Sequence, residues 1–445
     1  MTASGSDPLS QQELDSLLSS MQMGLSKVPA KTGATRSKPR QATGFETHPL
    51  YLNMKVQRDF AQLLQINDPY YRRHEVQAGA NSVIDGRPVS NFASYDYLGL
   101  NGHPEIVAAV GEAVGTYGTS VSASRISAGE RQVHRDLEAA LSRNYGTDDC
   151  IAFVSGHAAA VSTLATLMGP KDLIVHDAVI HNCVVVGAQL SGSARRLFPH
   201  NDLDALEALL SDERDQFERV MIVTEGLFSM DGDGPDLARL IDIKQRYSAV
   251  LMVDDAHGLG VLGKTGKGIF EHQGVNPADV DLWLGTLSKT LVSCGGYVAG
   301  NAVVVDLLKH QAPGFVYSVG MPAGAAVAST KALEIMAREP DRVARLHERS
   351  QQFYHRAKAK GLNVADAWGY GIIPVVIGDT IKTLHLAERL LQRGINAFPI
   401  LPPGVPEKSA RLRFFLNQSH TPEQIDEAVD ATVLEIASLG VTRPF

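Results

Sequence analysis

Between about residue 150 and residue 300 the apolar positions of this chain alternate between two rhythms. Short continuous apolar runs near 150–154, 173–175, 195–198, 219–224, 249–254, 281–285 and 296–299 read as buried strands. Between most of them lie stretches with helical spacing, around 157–168, 181–190, 202–211 and 236–246. Apolar strands separated by helices predict an α/β fold with a mostly parallel, seven-stranded sheet covered on both faces. Upstream, the spacing predicts helices over about 56–71, 104–117 and 130–145, with Pro104 in the first turn of the second. A strand and turn occupy Asn91–Leu100, and a loop of small hydroxyl residues runs from Gly118 to Gly129. After Met321-Pro322 a long helical segment, about 323–360, leads into a compact α+β region. The chain therefore divides into an extension (1–45), an N-terminal segment (46–100), a large domain (101–322) and a smaller α+β domain (323–445).

The extension keeps neither rhythm. Lys27 to Arg40 holds five basic residues among Ser, Thr, Gly and Pro, without an acid, and such a tract cannot bury enough apolar surface to order itself. Before it, Ser10 and Glu13 have capping-box spacing, and Leu14, Leu17, Leu18 and Met21 share a helical face. This reads as a frayed tail or as a short helix that docks on a partner such as a carrier protein. Asp7, Glu13 and Asp15 speak against a mitochondrial presequence, which is poor in acids.

Composition narrows the class. At 445 residues, 44% hydrophobic and 20% charged, the chain suits a soluble enzyme with a large and a small domain. A net charge of -8 offers no basic face for nucleic acid. Cys150, Cys183 and Cys294 are too scattered for disulfides or a metal cluster, and their apolar or small-residue surroundings predict buried free thiols in a reducing cytoplasm. No apolar run approaches the roughly 20 residues of a membrane span.

In parallel sheets ligands bind beyond the carboxyl ends of the strands. Those ends carry this chain's chemistry: Ser155-Gly-His157, His181, Glu225 to Ser229, Asp254-Asp-Ala-His257 and Thr286-Leu-Ser-Lys289. A lysine at a buried strand end loses solvation as a cation, so its amine becomes nucleophilic, as a Schiff base requires. Taken singly, Lys289 reads as a surface lysine in a loop, and only its neighbours at the other strand ends set it apart. Asp254, three residues before His257, can pair with a protonated pyridine nitrogen, and His257 with a ring hydroxyl. Ser155 and Gly156, at a strand-to-helix turn, offer backbone amides for a phosphate, with Thr286 and Ser288 on the other side. Gly258-Leu-Gly-Val-Leu-Gly263 fits a dinucleotide fingerprint, yet Lys264–Gly268 breaks the helix that fingerprint needs and Asp254-Asp255 would repel a pyrophosphate.

Val253-Asp-Asp-Ala-His-Gly258 followed by Gly285-Thr-Leu-Ser-Lys289 resembles the α-oxoamine synthase family of pyridoxal-phosphate enzymes. Ser94–Leu100, Ser155-Gly156, Thr224–Asp233 and Ala410–Arg413 extend the resemblance in order to the C-terminus. It implies the aspartate-aminotransferase-like fold (fold type I of these enzymes), a homodimer with shared sites, and pyridoxal 5'-phosphate as cofactor. It implies that Lys289 holds the cofactor and then takes the substrate's Cα proton. Asp254 would pair with the ring nitrogen, His257 and Ser229 would contact the ring hydroxyl, and His181 would stack on the ring. Ser155, Gly156, Thr286 and Ser288 would hold the phosphate, with Ser318 supplied by the second subunit, and His157 would be a further cofactor-binding residue. Arg413 would clamp the substrate carboxylate. The implied reaction is a decarboxylative condensation of an amino acid (serine, alanine or glycine) with an acyl thioester on CoA or an acyl carrier protein.

Departures from the family pattern bear on the substrates. Tyr95 matches the serine palmitoyltransferase-like branch. His157 and Val319 replace an aromatic residue and a phosphate-binding Thr, and Leu401-Pro-Pro403 lacks the arginine that would meet a carboxylate-ended acyl chain, which favours an apolar one. An aminotransferase of the same fold and a non-catalytic partner subunit are the rival readings. The ordered motifs oppose the first and the presence of Lys289 opposes the second.

Overall fold

The computed structural model describes residues 44–63, 67–402 and 404–440, so the N-terminal tract and its candidate docking helix lie outside the described residues. The chain separates at Tyr70 into two compact units. In the first, a helix spans Pro49–Leu63, and Asn67 to Tyr70 has no regular structure. The predicted helix over 56–71 is thus corrected at both ends. Pro69 disfavours helical backbone at Asp68 before it, and Pro49 supplies a preset φ for the first turn.

The second unit opens with β1 (Asn81–Ile84) and β2 (Arg87–Asn91), an antiparallel pair. Its main sheet comprises β3 (Asp149–Phe153), β4 (Leu173–Asp177), β5 (Ala194–Phe198), β6 (Val220–Glu225), β7 (Val250–Asp254), β8 (Leu282–Thr286) and β9 (Gly296–Gly300). They lie in the order β3-β9-β8-β7-β6-β4-β5, with β9 antiparallel to both neighbours and the other pairings parallel. The fold is the aminotransferase-like α/β fold expected from the strand and helix rhythm, its large sheet accompanied by a smaller C-terminal α+β region.

The apolar runs lack polar alternation because both sheet faces are covered. Side chains of one strand point alternately to the two faces, and here each face has its own core. Cys150, Val175, Ile222, Val253 and Trp283 belong to one cluster, completed by Leu137, Leu206, Leu240 and Ala326 from helices. Ile151, Ile174, Val223, Met252 and Leu284 belong to the other, completed by Ala160, Leu164, Val184 and Leu308. At about 25 cal/mol per Å² of buried apolar surface, such burial fixes both the register and the direction of the strands.

The segment after Met321-Pro322 is two helices, Ala323–Arg338 and Asp341–Ala359, rather than one. Pro340 forces Glu339 out of helical backbone, to φ -121° and ψ 62°. Beyond them come β10 (Ile372–Val376), β11 (Ile395–Asn396), β12 (Phe398–Ile400) and β13 (Arg411–Phe415). β10, β13 and β12 form an antiparallel sheet. β11 instead joins β2, which brings residues near 91 beside residues near 396. Of the cysteines, Cys150 and Cys183 are buried as predicted, whereas Cys294 is exposed. Among the described residues no helix is long and apolar enough to cross a membrane.

The glycines of 258–263 serve packing and open no nucleotide-binding helix; the next helix is Ile269–Gln273. A Cβ at Gly258 would collide with the buried Asp255 carboxyl, and one at Gly260 with Thr290. The loop is thereby pressed against the turn that carries Lys289, where Thr290 Oγ1 donates to the carbonyl of Leu259 at 2.8 Å.

Candidate active site

β6, β7 and β8 run in parallel with Glu225 opposite Asp254 and Asp254 opposite Leu284. β6 and β7 therefore end level, β8 runs two residues further, and together they bring Glu225, Asp254 and, after the next turn, Lys289 to one place. The turn after β8 is tight. Ser293 N–H bonds to Leu287 O at 2.8 Å, and Ser293 Oγ donates to Ala325 O at 2.8 Å. Between them Val292 adopts φ +42°, a costly conformation for a β-branched residue. Strain of ~1–3 kcal/mol persists only where the surroundings over-determine it. Here the helix Ala323–Arg338 and the 258–263 loop do so.

Lys289 is mostly buried, and desolvation draws its amine down to about 8, against Asp254 and Glu225, which raise it, and with Arg413, which lowers it further. Burial raises Asp254, with Lys289, His181 and the N–H of Ala256 opposing; that N–H donates to Asp254 Oδ1 at 3.1 Å. His257 is buried, and burial, followed by the charges of Lys289 and Arg413, holds it well below the usual imidazole range, hence neutral. Its Nδ1 lies 2.7 Å from the hydroxyl of Tyr97. Burial keeps that phenol protonated, so it can donate and leave the imidazole proton on Nε2.

His181 precedes the helix Asn182–Ser191, and its Nδ1 accepts the backbone N–H of Cys183 at 3.3 Å and lies 2.9 Å from Cys183 Sγ. Burial lowers its pKa, with Asp254 opposing and Lys289 and His157 assisting. On the other side, Phe153 and Thr286 both pair with Gly296, so the turns after β3 and β8 flank β9. A Cβ on Gly296 would sit 2.4 Å from Gly156 Cα, which leaves glycine as the residue that permits this approach. Ser155 caps the helix Gly156–Leu167. The N–H groups of that first turn have no intrahelical acceptor, so this helix start can receive an anion. Thr286 Oγ1 lies 2.8 Å from Ser288 Oγ and donates to Gly295 O at 3.0 Å. His157 is exposed at the start of the same helix.

Arg413, on β13, is buried, and its Nη1 donates to Ser229 O at 3.0 Å and approaches Met230 Sδ at 3.3 Å. Its guanidinium lies 4.5 Å from the Phe415 ring centroid. Its Nε is buried without a hydrogen-bond partner, an expensive state for a charged donor unless a ligand satisfies it. Tyr95 is 40% exposed and meets Phe415 edge-on at 4.9 Å, while Phe415 stacks on His257 with an interplanar angle of 7°.

The structure thus gathers Lys289, Asp254, His257, His181, Ser229, Arg413 and Tyr95, with Ser155, Gly156, His157, Thr286 and Ser288 at the glycine contact. Ser318, expected from a second copy, follows the short helix Pro313–Val316 in this chain, and its N–H bonds to Phe315 O at 3.4 Å. Tyr97 and Phe415 are site residues that the sequence reading does not single out, and Glu225 is named there at its strand end without a role. Glu225 and Tyr97 stand inside the motifs Thr224–Asp233 and Ser94–Leu100, which is the signal that local sequence offers. Phe415 stands two positions past Arg413, on the same strand face.

The sequence profile of class I and II aminotransferases matches residues 87–431. The chain is 42% identical, over 81% of its length and 92% of the relative's, to a putative 8-amino-7-oxononanoate synthase of Gloeobacter violaceus. Its structure is similar to that of Sphingomonas wittichii serine palmitoyltransferase, with a TM-score of 0.83, 27% identity, and coverage of 87% of this chain and 97% of that one. It is also similar to a serine palmitoyltransferase determined with pyridoxal phosphate as internal aldimine, at a TM-score of 0.84 and 25% identity, with coverage of 87% of this chain and 98% of that one.

Proposed function

We propose a function that follows from one premise: this chain belongs to the class I and II aminotransferase family, as one of its α-oxoamine synthases. It is a pyridoxal-phosphate-dependent acyltransferase. Within that class, we infer a decarboxylative condensation of a small amino acid with an apolar acyl thioester, on CoA or an acyl carrier protein. The products are an α-amino ketone, carbon dioxide and the free thiol. The observation that carries this reading is the convergence of Asp254, His257 and Arg413 on the desolvated amine of Lys289.

The residues present fit the cofactor. The glycine contact between Gly156 and Gly296 leaves a helix N-terminus and the hydroxyls of Ser155, Thr286 and Ser288 for its phosphate. Asp254 is a buried carboxyl with an acceptor oxygen for the ring nitrogen, and His257 Nε2 and Ser229 are the donors for the ring hydroxyl. His181 would stack on the ring, and His157 would add a further contact to the cofactor. Pyridoxal phosphate, when bound, supplies an electron sink for charge that develops at the substrate's Cα. Lys289 Nζ holds the cofactor and takes the Cα proton. Arg413 offers its unpartnered Nε to the substrate carboxylate, with Tyr95 beside it. Ser318 of a second copy completes the phosphate site in a cytoplasmic homodimer.

The amine of Lys289 reacts only when neutral, and its pKa is about 8. Below that value the rate of reconstitution of the apoprotein with pyridoxal phosphate, followed by visible absorbance, should rise about tenfold per pH unit. Above it the rate should level off. A rate still climbing steeply toward pH 10 would show an ordinary lysine.

Leu401 favours an apolar acyl group because a hydrocarbon environment leaves a terminal carboxylate unpaired. Spectral titration of the holoprotein with glycine, alanine and serine identifies the amino acid, and carbon dioxide release with a panel of acyl thioesters identifies the donor. Apolar chains should turn over at least about tenfold faster than pimeloyl, a difference of ~1.4 kcal/mol. Faster turnover with pimeloyl overturns the acyl assignment, and a keto-acid-driven half reaction without carbon dioxide overturns the reaction.

A further inference from the structure

Glu225 is buried, 4% exposed, and no role falls to it in the reaction just described. Its Oε1 accepts the backbone N–H of His181 at 2.8 Å, and the N–H of Ser229 bonds to it as well. Ser229 in turn accepts Arg413 Nη1 through its carbonyl at 3.0 Å. One carboxyl therefore ties the loop after β4 to the loop after β6 and, through Ser229, to β13. Four titratable groups face it: Asp254 on β7, Lys289 after β8, and His181 and Cys183 at the helix that follows β4.

The strand register sets Glu225 directly beside Asp254. Two carboxylates side by side in a desolvated site, with one lysine between them, cannot both ionise cheaply. We propose that Glu225 is a positioning residue which, as a neutral carboxylic acid, holds His181 and Ser229 in place and leaves Asp254 to carry the negative charge that faces the cofactor. The inference rests on the assignment of His181 and Asp254 to the cofactor.

Burial first, then the charge of Asp254, push Glu225 up to about 8, with Lys289 and the two N–H donors opposing. Asp254 faces Lys289 and His181 and accepts the N–H of Ala256 at 3.1 Å, so of the two carboxyls it is the one that keeps the charge. A neutral acid still offers carbonyl and hydroxyl oxygens to two N–H donors. The hydrogen bonds therefore survive protonation, and the second charge does not arise.

Two variants separate the hydrogen bonds from the charge. Glu225→Ala removes both acceptors, and the displaced loops should lower kcat/KM on the order of a hundredfold, with KM for the amino acid raised through Ser229 and Arg413. Glu225→Gln keeps an acceptor oxygen without charge and should recover at least about tenfold of that loss near neutral pH. Infrared difference spectra of the apoprotein, taken between pH values below and above about 8, should show a carboxylic-acid carbonyl band that Glu225→Gln removes. The proposal is overturned if Glu225→Ala matches the wild type, if Glu225→Gln is no better than Glu225→Ala, or if the band is absent from the wild type. The infrared result needs no cofactor. Failure of the wild-type holoprotein to turn over would instead count against the proposed reaction.

Discussion

Replacing Lys289 by alanine is expected to remove the visible absorbance of the bound cofactor and to lower turnover at least about a thousandfold, because one amine supplies both the covalent attachment and the proton transfer. The size of the effect follows from the site's design. Desolvation lowers this amine to about 8, so it serves as a neutral base near physiological pH. The glycine contact and the hydroxyls of Thr286 and Ser288 remain, so the variant should still bind pyridoxal phosphate non-covalently. Far-ultraviolet circular dichroism should stay unchanged, since the two apolar clusters that flank the sheet do not include this side chain. Residual turnover above about a tenth of wild type would remove Lys289 from the centre of the mechanism.

The second large effect is expected from Asp254→Asn. The amide matches the carboxylate in shape but carries no charge, so it cannot hold the ring nitrogen in its protonated form. A fall in kcat of roughly a hundred- to a thousandfold is expected, with KM for the amino acid nearly unchanged, because Arg413 is anchored separately by Ser229. A second readout is independent of turnover. The charge of Asp254 raises the amine of Lys289 more than that of any other group. Its loss lowers the amine below about 8, and the levelling of the reconstitution rate should move to lower pH in step. A kcat within threefold of wild type, with the reconstitution profile unmoved, would refute the charge pairing.

Much of the architecture is legible in local pattern. Apolar runs without polar alternation could satisfy both faces of a sheet only if helices covered both, and the observed strands overlap each of the seven predicted ones. Departures arise where a single proline decides. Pro69 and Pro340 each exclude helical backbone at the residue before them, and periodicity alone runs through both positions. Small neighbours suggest burial for Cys294, whereas its exposure depends on how the turn after β8 folds back toward Val154.

The site divides in the same way. Lys289, Asp254, His257 and His181 are legible because each directly follows an apolar run, and in parallel sheets those positions converge. Tyr97 is separated from His257 by 160 positions, and nothing local connects them. Phe415 meets His257 only because β13 lies across the strand ends. Glu225 looked like a member of its motif with no task of its own until the register set it beside Asp254.

The sequence by itself determined that Lys289 stands at a buried strand end among groups suited to a pyridoxal-phosphate site, since period, capping and strand-end chemistry are local properties of the chain. Only the tertiary structure decided the electrostatics: which carboxyl ionises, which imidazole nitrogen keeps the proton, and which arginine nitrogen awaits a partner. Desolvation and register are properties of neighbours distant along the chain, and those exist only once the strands have paired.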